Sequence, residues 1–136
     1  KEADNGNGEE DEEDEEDEDE DEANLKYRPL PPAESPSWAS CIRLVDGVEL
    51  ETLELLELSD NEAAISVCPV AFADRGGEVF LCVGVVQGLS LHPQRFKACS
   101  VHTYRIAGAS LILLHKTPVE GIPLGLCDFQ GRLLVG

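Results

Sequence analysis

Methionine is missing from all 136 residues, the first position included, and tryptophan occurs once, at Trp38. A complete gene product begins with methionine, so the chain is expected to be an excerpt of a longer one. Aromatic residues make up 5% of the sequence, too few for the stacking surfaces that read unpaired RNA bases between clustered Lys and Arg. Basic residues are also scarce, 10 against 28 acids, and only Arg95 and Lys97 stand close together, so direct RNA contact is not expected. No apolar run approaches the roughly 20 residues that cross a bilayer as a helix, and Val79–Val86 and Leu111–Leu114 are of strand length. Membrane partners are therefore not expected.

Catalytic signatures are missing as well. There is no phosphate-binding loop or dinucleotide fingerprint, and Gly76-Gly77 reads as turn chemistry. The three histidines, His92, His102 and His115, stand in no nucleophile motif of the kind that pairs Ser or Cys with an oriented base. His102 and Tyr104 share one face of a strand, with Thr103 on the other, and are expected as polar residues of a sheet surface or strand end. Five cysteines, Cys41, Cys68, Cys82, Cys99 and Cys127, are odd in number and widely spaced among apolar neighbours. They lack zinc-knuckle spacing and are expected as buried, reduced thiols of a nuclear or cytosolic protein. The sequence therefore offers no catalytic, cofactor-binding or metal-binding residue, implies no cofactor, and leaves the individual interaction residues unknown.

What is present divides sharply. Residues 1–22 carry 16 of the 28 acids, 14 of them in the unbroken run Glu9–Glu22, whereas residues 23–136 are nearly neutral. Carboxylates at that density repel one another and offer no apolar surface to offset ordering entropy. Next comes the proline-rich Leu30-Pro31-Pro32-Ala33-Glu34-Ser35-Pro36. Residues 1–36 are thus expected to be a disordered acidic and proline-rich linker. The run reads as a solvated spacer or, in a sharper alternative, as a binder of basic proteins through residues 9–22.

From Trp38, expected to anchor the body by burying its ring, short strands alternate with turns. Trp38–Val45 leads through Asp46-Gly47 into Leu50–Leu58, where leucine and acid alternate and then slip phase at Leu55-Leu56. Such a slip suggests a β-bulge, and an amphipathic helix competes for the same residues. Ala63–Phe72, Val79–Val86, Val101–Ile106 and Leu111–Val119 follow as strands. They are joined by a turn at Asp74-Arg75-Gly76-Gly77, a loop over Gln87–Ser100 and a turn at Ala107-Gly108. Ile122–Phe129 and Leu133–Val135 close as a hairpin around Gln130-Gly131. Gly84, Gly121 and Gly131 read as turn or close-approach positions. Val79–Val86 is apolar on both faces and is predicted to be a central, fully covered strand. The fold class is all-β: one near-complete four-stranded antiparallel blade of a β-propeller over 37–136, with half of the next.

Several motifs in order then carry a resemblance: Ser37-Trp38-Ala39-Ser40-Cys41-Ile42-Arg43, Asp60-Asn61-Glu62-Ala63-Ala64-Ile65-Ser66, Val83-Gly84, and Val101-His102-Thr103-Tyr104-Arg105. The most specific is His115-Lys116-Thr117-Pro118-Val119-Glu120-Gly121-Ile122-Pro123, and Phe129-Gln130-Gly131-Arg132-Leu133-Leu134-Val135-Gly136 completes the set. Residues 37–136 resemble the splicing factor 3B subunit 3 family. Its wider kin include the large propeller subunits of the damaged-DNA-binding and cleavage-and-polyadenylation complexes. The resemblance implies three seven-bladed propellers in the parent, with this stretch near the start of the third. It implies a nuclear, non-catalytic scaffold of the splicing factor 3b complex in the branch-site-recognising snRNP. The partners implied are the other subunits of that complex, and RNA through the complex; at family level this is nucleic-acid binding. A ubiquitin-ligase adaptor or a polyadenylation paralogue is the alternative. Phe96-Lys97-Ala98-Cys99-Ser100 lacks the family's glycines, and the 14-carboxylate run departs from the family pattern as a lineage-specific insertion.

Overall fold

The computed structural model describes residues 37–59 and 61–136. The acidic and proline-rich stretch expected to be disordered over 1–36 lies outside these residues, as does the binder of basic proteins considered for 9–22.

Ten strands make up the fold, with no α-helix among the described residues. They are β1 (Cys41–Val45), β2 (Thr52–Glu57), β3 (Glu62–Ala71), β4 (Val79–Gln87), β5 (Ser90–Leu91), β6 (Gln94–Arg95), β7 (Ala98–Ala107), β8 (Ser110–Val119), β9 (Leu126–Phe129) and β10 (Arg132–Val135). The centre is a four-stranded antiparallel sheet in the order β3-β4-β7-β8. This is the up-and-down sheet the alternation predicts, and apolar β4 lies inside it. The edge strands carry the sheet's two prolines, Pro69 on β3 and Pro118 on β8. A proline cannot donate to a ladder and so suits an edge.

Each face is covered by a two-stranded hairpin. On one face Ile42 and Leu44 of β1, Leu56 of β2 and the following Leu58 pack over Val83, Val85, Tyr104 and Leu111. On the other, Leu126 of β9 and Leu133 of β10 pack against Val70, Cys82 and Val101. Trp38, Ile122 and Val119 close the end of that second face around Ala63, Val86, Leu89 and Cys99. The hairpins also cap exposed edge groups. Ser40 Oγ accepts from the Ala64 N–H at 3.1 Å and Asp128 Oδ2 from the Ala71 N–H at 3.1 Å, both on β3, and Glu54 accepts from the Leu111 N–H on β8.

Glycines serve two of the tightest points. Gly84 on β4 has no room for a Cβ, which would stand 2.9 Å from Pro123 Cγ, and the Ser66 hydroxyl donates to the Pro123 carbonyl at 2.5 Å. Gly131 follows Gln130 in the β9–β10 turn, both with positive φ (72° and 50°). A Cβ there would meet Ala73 N at 2.8 Å.

The structure corrects the sequence reading at several points. Trp38–Ser40 is not strand; β1 begins at Cys41 because the Trp38 N–H and ring N–H are committed to Asn61 Oδ1 (3.1 Å) and the Leu89 carbonyl (2.7 Å). Residues 52–57 are strand and not helix. The bulge expected at Leu55-Leu56 is displaced to Leu53, which has no partner between the Leu44–Glu54 and Val45–Thr52 pairs. From there Glu54 and Leu56 turn inward and Leu55 outward without a phase slip. The Gln87–Ser100 loop contains the small β5–β6 hairpin, and β7 starts early, at Ala98. Ile122 and Pro123 pack as a turn before β9, and Pro123 is fully buried. Gly121 faces open space with no positive φ, so neither a turn nor a close approach requires it.

Candidate functional site

The residues of chemical interest gather on the face of the sheet beneath the β1–β2 hairpin. His102 and Tyr104 do share a face of β7, two residues apart, but they are 1% and 2% exposed. This overturns their expected place at a sheet surface or strand end. The reason is topological: β7 is an inner strand, and the hairpin leucines cover its face. His102 Nδ1 lies 3.3 Å from the Tyr104 hydroxyl, while its Nε2 is buried without a hydrogen-bond partner. The Glu62 carboxylate reaches over from β3, with Oε1 3.9 Å from His102 Nε2 and 2.9 Å from Lys116 Nζ of β8. Its other oxygen accepts from the Ser59 N–H at 3.2 Å. Glu62 and Lys116 thus clasp the two edge strands across the inner two.

Charge in this cluster follows from its surroundings. Burial pushes the Glu62 carboxyl up. The hydrogen bond and charge of Lys116, with His102 and the Ser59 N–H, outweigh burial and hold the carboxyl below its ordinary value. Burial, helped by the Lys116 charge and opposed by Glu62, holds His102 below the usual imidazole range, so it is neutral at pH 7. Burial, then the Glu62 charge, pushes Tyr104 up to about 12. A neutral imidazole beside a neutral phenol, with no serine or cysteine hydrogen-bonded to it among the described residues, fits a structural clasp better than a nucleophile–base pair.

The other histidines stay apart: His92 is exposed in the small hairpin, and His115 is exposed on β8 opposite Thr103. A cavity of about 430 Å³ lies between β1 and the sheet, lined by Ile42, Arg43, Ile65, Val67, Leu81 and Val83 among others. Its walls are mainly apolar; the Arg43 Nε donates to Thr52 Oγ1 at 2.8 Å, and the Ser66 hydroxyl is engaged with Pro123. Among the described residues no three His, Cys, Asp or Glu stand where a metal could be held. Of the cysteines, Cys82 and Cys99 are buried as expected, with burial raising both thiols, and Cys68 is half-buried. Cys41 and Cys127 are exposed, contrary to expectation, because each lies on the outer side of a hairpin strand that none of the described residues covers.

Sequence reasoning missed the partnership of Glu62 and Lys116. The signal was thin: one acid opening an apolar strand, and a lysine opposite His102 in the β7–β8 register.

The sequence profile of the CPSF A subunit region matches residues 39–136. The chain belongs to this family. Similar curated relatives include Spliceosome-associated protein 130 A of Arabidopsis thaliana, 53% identical over 109 residues, which are 78% of this chain and 9% of the relative. Splicing factor 3B subunit 3 of Danio rerio is 44% identical over 108 residues, again 78% of this chain and 9% of the relative. Pre-mRNA-splicing factor RSE1 of Pyricularia oryzae is 38% identical over 149 aligned residues, covering 99% of this chain and 12% of the relative. The chain therefore spans roughly a tenth of the length of these relatives. The resemblance read from the motifs of residues 37–136 is met by this match. The clasp and the Ser66–Gly84–Pro123 contact both lie inside the matched region.

Proposed function

We propose that the chain is a blade-forming piece of a non-catalytic scaffold that works in the nucleus, in pre-mRNA splicing, as a subunit of the splicing factor 3b complex. The observation that carries this is the 53% identity with a protein named spliceosome-associated over 78% of the chain. The clasp chemistry is compatible with it, because Glu62 and Lys116 are spent on holding the edge strands together.

Residues 37–136 are assigned to the start of the third propeller of such a parent. Support for a propeller comes from how the hairpins are placed. The β1–β2 hairpin covers one face of the central sheet and touches its last strand, β8; the β9–β10 hairpin covers the other and touches its first, β3. Blades stacked around an axis meet in this way, outer strand to outer and inner strand to inner. On this reading β1–β2 is the outer half of the preceding blade and β9–β10 the inner half of the next.

The test is affinity purification of the complete parent from nuclear extract, with mass spectrometry of what accompanies it. Recovery of the other splicing factor 3b subunits is expected. Recovery of cullin-ligase components, polyadenylation factors or histones in their place overturns the assignment.

A further inference from the structure

Two of the five cysteines face each other. Cys68 on β3 is the register partner of Cys82 on β4. Both belong to the face covered by β9–β10, where Cys68 packs against the cluster formed by Val70, Cys82 and Val101. Directly opposed residues of an antiparallel pair stand about 4.5–5.5 Å apart at Cα. That lies inside the roughly 4.4–6.8 Å that a disulfide spans. The other cysteines have no such partner: Cys41 is opposite Glu57, Cys99 lies between Val86 and Val119, and Cys127 is opposite Leu134.

The two thiols also differ in access. Cys82 is wholly buried, its sulfur 3.9 Å from Thr103 Oγ1, while Cys68 on the edge strand is half-buried. An oxidant from solvent therefore meets Cys68 first, with Cys82 directly behind it.

We propose that Cys68 and Cys82 are a reversible oxidation site, reduced at rest and closed to a cross-strand disulfide by a peroxide. The Cys68 sulfur attacks the O–O bond, forming an S–O bond and releasing water. The Cys82 sulfur then attacks the Cys68 sulfur, so that the S–S bond forms as the S–O bond breaks. The second water leaves with the Cys82 proton. Two thiols and one peroxide thus yield one disulfide and two waters, and a thiol reductant reverses the oxidation. Closing the bond ties edge strand β3 to inner strand β4 beside the β9–β10 hairpin.

The experiment treats the complete parent protein, in its complex, with hydrogen peroxide. Free thiols are then blocked under denaturing conditions and the protein is digested with trypsin without reductant. Cys68 is the single cysteine of the tryptic peptide 44–75, and Cys82 of 76–95. The expected product is these two peptides linked, lighter by two hydrogens than their sum, absent before peroxide and lost on adding dithiothreitol. Recovery of both peptides separately alkylated overturns the proposal, as does Cys68 joined to any cysteine other than Cys82. The mapping needs no variant; in Cys68→Ser, where it folds, the linked species should vanish while Cys82 stays unmodified.

Discussion

Glu62 is a buried carboxylate whose neutralising partner, Lys116, is 42% exposed. Removing that partner leaves the acid uncompensated, as breaking a buried pair from one side does. Lys116→Ala should destabilise the sheet by about 1–2 kcal/mol, a figure reduced from the buried-pair range because solvent already screens the lysine. Adding Glu62→Gln should recover part of the loss, and hydrogen exchange of β3 and β8 peptides in the complete protein would measure both. An equal, additive loss in the double variant would argue against the clasp. The same cluster sets a pH profile. As pH falls below 6.5, the unfolded chain protonates His102 while the folded chain resists, so stability declines. Below 4.5 the Glu62 contribution goes the same way, because its folded value is depressed. Above pH 10 the unfolded chain loses the Tyr104 proton that the fold keeps to about 12, so stability declines again. His102→Phe should flatten the acid shoulder nearest neutrality; an unchanged shoulder would assign it elsewhere.

At the scale of elements, short apolar or alternating runs between turn residues made the strands readable, and most plainly where an unbroken apolar run marks a strand covered on both faces, as in β4. It was weaker where tertiary bonds decide the outcome. Leu53, Leu55 and Leu56 look alike in sequence, but the Val45–Thr52 pairing sets which of them is extra. Trp38–Ser40 has strand composition yet is held by Asn61 and Leu89, residues distant in the chain. The burial of His102 was illegible for a related reason, since it depends on a hairpin reaching across from β1–β2. Close approach was readable at Gly84 and Gly131 but not excluded at Gly121, because glycine leaves no trace of what lies opposite. Gly84→Ala should cost about 1–3 kcal/mol through overpacking against Pro123. Gly131→Ala should cost about 1–2 kcal/mol from its left-handed φ of 72°, before the Ala73 contact is counted. Thermal melts of the complete protein would rank them, and tolerance at both positions would contradict the packing described. Gly121→Ala serves as the neutral control.

At the scale of the whole molecule, many apolar side chains remain uncovered, among them Ile112, Leu113 and Leu114 on β8, Val67 on β3, and Leu134 and Val135 on β10. Together with the open ladder edge of β1, such a surface invites edge-to-edge pairing. On the proposed propeller reading, residues 37–136 expressed alone should self-associate, and a chain extended by strands that would complete both flanking blades should not. Sedimentation of the two would decide it, and a cooperative monomeric melt of the short piece would refute the blade reading. Trp38 should be the sensitive position at the start of this body: Trp38→Ala is expected to cost about 2–3 kcal/mol, less than a fully buried ring, because its side chain is only half-covered. Its two hydrogen bonds also decide where the sheet structure takes hold. They fasten the backbone and the ring to Asn61 and Leu89 before the first strand begins, as a clip holds a cable ahead of its plug. The path of the chain into β1 is therefore set by contacts made within residues 38–89.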